Sequence, residues 1–98
     1  MRRLGFEWDE RKNRANRRKH GVAFEEARTV FSDEWALLMP DAEHSEREDR
    51  FVILGMAATL RTLVVCHCDR ASEEIIRIIS ARKATRSERR QYRESWGR

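Results

Sequence analysis

A charge in the middle of an apolar strand is costly unless it meets a cleft, an anion or an opposite charge, and Arg77 interrupts the run EIIRIIS in that way. Two readings follow: a structural ion pair, or a cation kept for a bound anion. Arg82 and Lys83 end the same run, and Arg70 ends the one before it. In an antiparallel pair, strand ends and turns can gather such cations around one phosphate. Arg77, Arg82 and Arg70 are therefore candidate catalytic cations, and Lys83 a candidate phosphate contact.

Proton transfer near neutral pH calls for imidazole, and the chain holds three histidines. His67 sits between Cys66 and Cys68, so strand alternation turns it away from both thiols. It reads either as a proton shuttle or as a structural strand histidine. His20, in a basic stretch, and His44 with Glu48, in an acidic one, are rival acid–base groups. Lys12 and Lys19 lie in the same stretch as His20, where they either touch a polyanion or seal their helix onto the rest of the fold.

Several chemistries lack their signature. The CHC triplet does not have the spacing of a zinc knuckle, and alternation sends its histidine away from the thiols, so no metal site is expected. There is no glycine-rich phosphate loop and no nucleophile elbow. Trp8 and Trp35 read as packing residues rather than base-stacking platforms.

The elements that must carry these groups follow from the hydrophobic pattern. Phe6 and Trp8 alternate with polar neighbours as in a short strand, and Asp9 is placed to cap a helix that Gly21 closes. That helix, ERKNRANRRKH, has almost no apolar face, so it is either a solvated charged helix or a ridge facing phosphates. Phe24, Ala27, Val30 and Phe31 mark the buried stripe of a second helix. WALLM gives a strand stopped by Pro40, and the polar stretch DAEHSEREDR gives a loop. FVILGMAA, TLVVCHC and EIIRIISA then form three runs of an antiparallel meander, the last two apolar on both faces and hence central. Thr85 and Glu88 have capping-box spacing for a final helix, on which Tyr92 and Trp96 can pack together.

The 98 residues fit one domain spanning 1–98, with one core and a radius of gyration of roughly 13 Å. Charged residues make up 39% of the chain, and the net charge of +4 favours a polyanionic partner. The charge is segregated: residues 1–20 and the C-terminal stretch are basic, whereas residues 25–50 are acidic. Two cysteines on one strand face would make a strained disulfide, which points to reduced thiols in a cytoplasmic protein. No run approaches the ~18 apolar residues of a membrane span.

Taken together, the stretches FEWDERKNRANRRKHG, AFEEARTVF, DAEHSEREDRF and IRIISARKATRSERRQY resemble the BrnT family of toxins over nearly the whole chain. Three positions depart from that family's pattern: Ala23 where a serine would cap the second helix, Glu34 where a proline is usual, and Ala71 where a glycine is usual. The resemblance implies a RelE-like α+β fold with a short strand, two helices, an antiparallel sheet of about four strands and a C-terminal helix. It also implies a metal-independent endoribonuclease needing no cofactor, neutralised by a BrnA-type antitoxin within a hetero-oligomeric complex. On that reading the ribose 2′-hydroxyl attacks its own phosphate, so a base, an acid and charge-stabilising cations are needed. Arg77, Arg82, His67 and Arg70 are the candidates for chemistry, and Lys12, Lys19, His20 and Lys83 for RNA contact. The antitoxin is expected to cover the basic cleft between the first helix and the ends of the last two strands. A non-catalytic nucleic-acid or antitoxin-binding module and a gyrase poison are the competing functions.

Overall fold

The computed structural model describes residues 5–41, 50–70 and 74–96. A short strand β1 (Gly5–Glu7) leads into helix α1 (Glu10–His20) and a single turn α2 (Phe24–Ala27), which tightens into a 3-10 helix, Arg28–Ser32. Strands β2 (Leu37–Pro40), β3 (Arg50–Met56), β4 (Thr62–Arg70) and β5 (Ile75–Lys83) follow, and helix α3 (Arg86–Glu94) closes the order. The α+β class and the element order agree with the sequence expectation. The sheet has five strands rather than about four, in the order β1-β5-β4-β3-β2. It is mixed, because β1 returns to pair parallel with the first half of β5. A three-residue strand carries no local sign of a partner some seventy residues away.

The two faces of the sheet are covered differently. Beneath α1, α2 and the 3-10 helix lies the main core, in which Val22, Phe24, Ala27 and Val30 meet Leu63, Val65, Ile76, Ile78 and Ala81. On the opposite, outer face, α3 covers a smaller cluster of Leu54, Val64, Ala84 and Tyr92. Gly55 permits the close approach of the 3-10 segment to β3. A β-carbon there would stand 2.8 Å from Ala36 Cβ and 2.9 Å from Val30 Cγ1.

Helix α1 begins and ends as its sequence implies. Asp9 accepts the Arg11 N–H at 2.8 Å, and Gly21 takes the left-handed conformation at φ 70°. Its buried face is polar, consisting of Asn13 and Asn16. Asn13 Oδ1 accepts the buried Phe24 N–H at 2.9 Å, so another helix satisfies the first donor of α2, whose N-cap residue Ala23 makes no side-chain bond. Asn13 Nδ2 donates to Glu25 at 2.9 Å. Glu34 occupies a turn before β2, and Ala71 lies outside the described residues. In α3 the capping box of Thr85 and Glu88 forms in both directions, and the rings of Tyr92 and Trp96 meet edge to face at 5.8 Å.

Since Asn13 is 1% exposed, Asn13→Ala strands a buried backbone donor and should cost about 1–3 kcal/mol. Urea unfolding of the variant against the parent measures this, and an unchanged midpoint would show that water replaces the amide.

Candidate active site

The outer face of the sheet carries a cleft beside α3. One cavity of about 390 Å³ is lined by His20, Asp41, Arg50, Cys66, Ser80 and Arg82, with Val52, Val64, Ile79 and Ala81 as its walls. A second, of about 320 Å³, shares Asp41, Val52, Val64 and Arg82 with it and continues past Met39, Leu54, Glu88 and Gln91.

Backbone irregularity decides which side chains face this cleft. On β5, Ile76 and Ile78 point into the main core, and strict alternation would send Ser80 and Arg82 after them. The register slips between Cys66 and His67, which pair with Ser80 and Ile78, so Ile79 is an extra, bulged residue. Beyond the bulge Ala81 takes the core side, while Ser80 and Arg82 turn outward opposite Cys66 and Val64. Arg77, opposite Cys68, is already on that outer face. The bulge thus places Arg77 and Arg82 on one face of the sheet.

Each of these cations is held by a carboxylate. Arg82 makes a two-pronged pair with Glu88, Nη1 to Oε1 at 2.8 Å and Nη2 to Oε2 at 2.9 Å. It reaches the Lys83 carbonyl at 3.3 Å. A guanidinium has five N–H donors, so these contacts leave part of its fork for an anion. The Arg82 hydrogen bonds hold the Glu88 carboxyl down at about 2, and the pairing pushes Arg82 up in turn. Arg77 Nη1 donates to Glu7 at 2.9 Å across the β1–β5 pair. Of the two readings of Arg77 the structure shows the ion pair, which stands on the cleft's face of the sheet outside the lining of either cavity. Cys66 donates its thiol proton to Asp41 at 3.4 Å. Burial first, then that carboxylate, pushes the thiol up to about 11. It remains protonated at neutral pH and is a poor nucleophile.

Other candidates lie elsewhere. His67 is 3% exposed and sits on the core side of β4, its ring 4.8 Å from Phe31 and 6.1 Å from Phe51. Alternation that turned it from the cysteines turned it into the core, so it does not line the cleft. Lys83 pairs in register with Leu63 on the helix-covered side, where its charge acts on Glu26. Lys12 and Lys19 are exposed on α1. Arg70 closes β4 opposite Ile75, and its side chain lies outside what the structure describes. His44 and Glu48 also lie outside the described residues. The segment that carries them leaves from Asp41 and returns at Arg50, both of which line the cleft. His20 is the one histidine among the described residues that reaches it.

Sequence reasoning passed over Asp41, Arg50, Cys66 and Ser80, because nothing local distinguishes a cleft-lining polar group from a solvated one. Among the described residues, no three His, Cys, Asp or Glu side chains converge as metal ligands, and neither Cys66 nor Cys68 forms a disulfide. No helix among those residues is long and apolar enough to cross a membrane. Trp35, expected to pack, is 39% exposed and borders a wider apolar groove of about 710 Å³ with Trp96, Phe6 and Met56. The carboxylate there, Asp33, is already engaged by Tyr92 at 2.5 Å and the Met56 N–H at 2.8 Å. The smaller cleft brings His20 together with Arg50 and Arg82, whereas the cation lining the wider groove is Arg28.

A family model described as "Ribonuclease toxin, BrnT, of type II toxin-antitoxin system" matches residues 8–88, a span that includes every residue of the first cavity. The chain belongs to the BrnT family. Among solved structures, the ribonuclease toxin BrnT of Brucella abortus, determined at 1.1 Å, is similar to it at 27% identity and a TM-score of 0.65. That match covers 86% of this chain and 100% of the Brucella one. A comparison with curated proteins finds no match. As a BrnT-family chain this is a ribonuclease toxin of the type II class, a class defined by pairing with an antitoxin.

The lowered Glu88 carboxyl sets an acid dependence. Its folded value, about 2, lies below the usual 4.5, so the stabilisation is complete above pH ~4.5 and is lost as pH falls towards 2. The pair is partly exposed, at 43% and 28% for the two side chains, which discounts it to about 1 kcal/mol. Glu88→Gln should therefore be less stable than the parent by about that amount at pH 7 and equal to it near pH 2. Urea unfolding at the two pH values checks this; a difference independent of pH would assign the effect to the helix cap.

Proposed function

We propose that the outer-face cleft is an endoribonuclease site that cleaves RNA without a metal: the ribose 2′-hydroxyl loses its proton and attacks the adjacent phosphate, a 2′,3′-cyclic phosphate forms as the P–O5′ bond breaks, and the 5′-oxygen leaves as a protonated hydroxyl. The observation that carries this reading is the convergence of His20, Arg50 and Arg82 on one cavity of a ribonuclease-toxin fold. His20 is the proton-transfer group, since imidazole can both take and return a proton near neutral pH. Arg82, its guanidinium oriented by Glu88, stabilises charge on the phosphate as the extra bond forms. Arg50 adds a second cation from β3. Arg77 meets the RNA backbone farther along the same face, and Lys12 and Lys19 on α1 contribute to the approach field. His67 takes no part in this scheme, and Lys83 lies on the other side of the sheet.

In this reading the neutralising partner, a BrnA-type antitoxin, covers the cleft and gains most by setting carboxylates against the cations that RNA needs. Toxin and antitoxin then form a hetero-oligomeric complex whose formation excludes RNA.

Four measurements test the proposal. Purified protein in excess EDTA should still cleave RNA, and Arg82→Ala should lower the rate by about 100-fold or more and relieve growth inhibition while the protein stays folded. Arg77→Ala should also relieve growth inhibition, with a shallower dependence of RNA binding on salt, by about one unit of slope. Loss of cleavage on chelation with recovery on one divalent ion, or full activity in Arg82→Ala, overturns the mechanism. Titration of RNA against toxin already bound to antitoxin should show competition; simultaneous binding at undiminished affinity would place the antitoxin elsewhere.

A further inference from the structure

Among the described residues, the second half of β5 has a neighbouring strand on one side only. β1 pairs with Ile75, Ile76 and Arg77 and then ends, so beyond the bulge no described strand lies along the far edge of β5. Peptide groups alternate between the two edges of a strand. Ser80 and Arg82 stand in register with Cys66 and Val64. The N–H and C=O of Ala81, between them, face that far edge and are buried. One side chain satisfies both groups. Asn16 Oδ1 accepts the Ala81 N–H at 3.1 Å, and Asn16 Nδ2 donates to the Ala81 carbonyl at 2.8 Å. The same Nδ2 donates to the Val22 carbonyl at 2.8 Å, tying in the turn after α1. Asn16 is 7% exposed. Its carboxamide serves as one peptide unit of the missing neighbouring strand.

The position of this bond is what gives it a functional consequence. Ala81 lies between Ser80 and Arg82, both lining the cleft, and just after the bulge that turns them outward. On α1, Asn16 is one helical turn before His20, so the two share a face, and His20 lines the same cavity. The amide thus joins the element carrying the cleft's imidazole to the strand segment carrying its cation.

We infer that Asn16 is a positioning residue, fixing the Ser80–Arg82 segment and His20 relative to one another so that both address a single phosphate. This rests on the ribonuclease reading of the cleft. A rigid frame matters because a displacement of about 1 Å can cost about 100-fold in rate while binding is largely kept.

The test is a double-mutant cycle on the full chain, with Arg82→Lys as the second site because it keeps a charge and a measurable rate but loses the two-pronged geometry. Asn16→Ala should lower kcat for an RNA oligonucleotide by about 10- to 100-fold, with KM changed less than about 3-fold. In the Arg82→Lys background the same change should cost at most a few-fold, since the geometry it protects is already gone. An equal loss in both backgrounds, or no loss in either, overturns the inference and leaves Asn16 a purely structural residue. If Asn16→Ala does not fold, Asn16→Asp, which keeps the acceptor for the Ala81 N–H, enters the same cycle with the same outcomes. A wild-type protein that binds RNA without cleaving it would overturn the ribonuclease reading instead. The cycle is then run on affinity for a fully 2′-O-methylated RNA, where coupling between the two sites supports positioning and additivity removes it.

Discussion

A strand whose neighbour stops halfway along it must find other partners for its edge peptide groups, because a buried N–H or C=O left unpaired costs about 1–3 kcal/mol. The last strand of this protein meets that condition where β1 ends, and the solution shapes much of the molecule. A charged helix with almost no apolar side is drawn onto the core through two asparagines, of which Asn16 completes the edge of β5 and Asn13 bonds the first turn of α2. The polarity of that face is specific in a way that leucine would not be, since carboxamides bond in only a few geometries.

The same stretch of β5 sets the chemistry of the outer face. One bulged residue at Ile79 reverses the alternation of everything after it, so that Ala81 fills the core and the cleft receives Ser80 and Arg82. Bulges recur beside active sites because they re-aim side chains without changing the rest of a sheet. Here a one-residue irregularity aligns two arginines that regular pleating would place on opposite faces.

Charge on that face is organised rather than concentrated. Arg77 and Arg82 each hold a carboxylate, and across the sheet Arg61 pairs with Glu26 at 2.5 Å. Half-exposed pairs of this kind contribute little to stability. Their consequence is geometric, since a guanidinium gripped along one edge by a carboxylate presents its remaining donors in a known direction. A net charge of +4 still gives the chain an attractive field for a polyanion. Paired carboxylates temper that field at short range, so productive contact depends on fit as well as charge.

Local chemistry was sufficient to read the helix ends at Asp9, Gly21 and Thr85, the order of the elements and the α+β class, because caps and hydrophobic periods are properties of neighbouring residues. The family resemblance was legible in the same way, as ordered motifs along the chain. Arg82 and His20 could be named as candidates from their type and place. That they share a cavity with Arg50, Ser80 and Asp41 could not, since these residues meet only when β3, β4, β5 and α1 are assembled. His67 shows the limit from the other side: alternation predicted its direction away from the cysteines, but which face of the sheet is core and which is cleft depends on where the helices pack. The parallel pairing of β1, the bulge at Ile79 and the engagement of Asn16 with Ala81 were likewise set by tertiary structure. Each satisfies hydrogen-bonding groups distant in sequence, and such a demand leaves no periodic or compositional trace at either end.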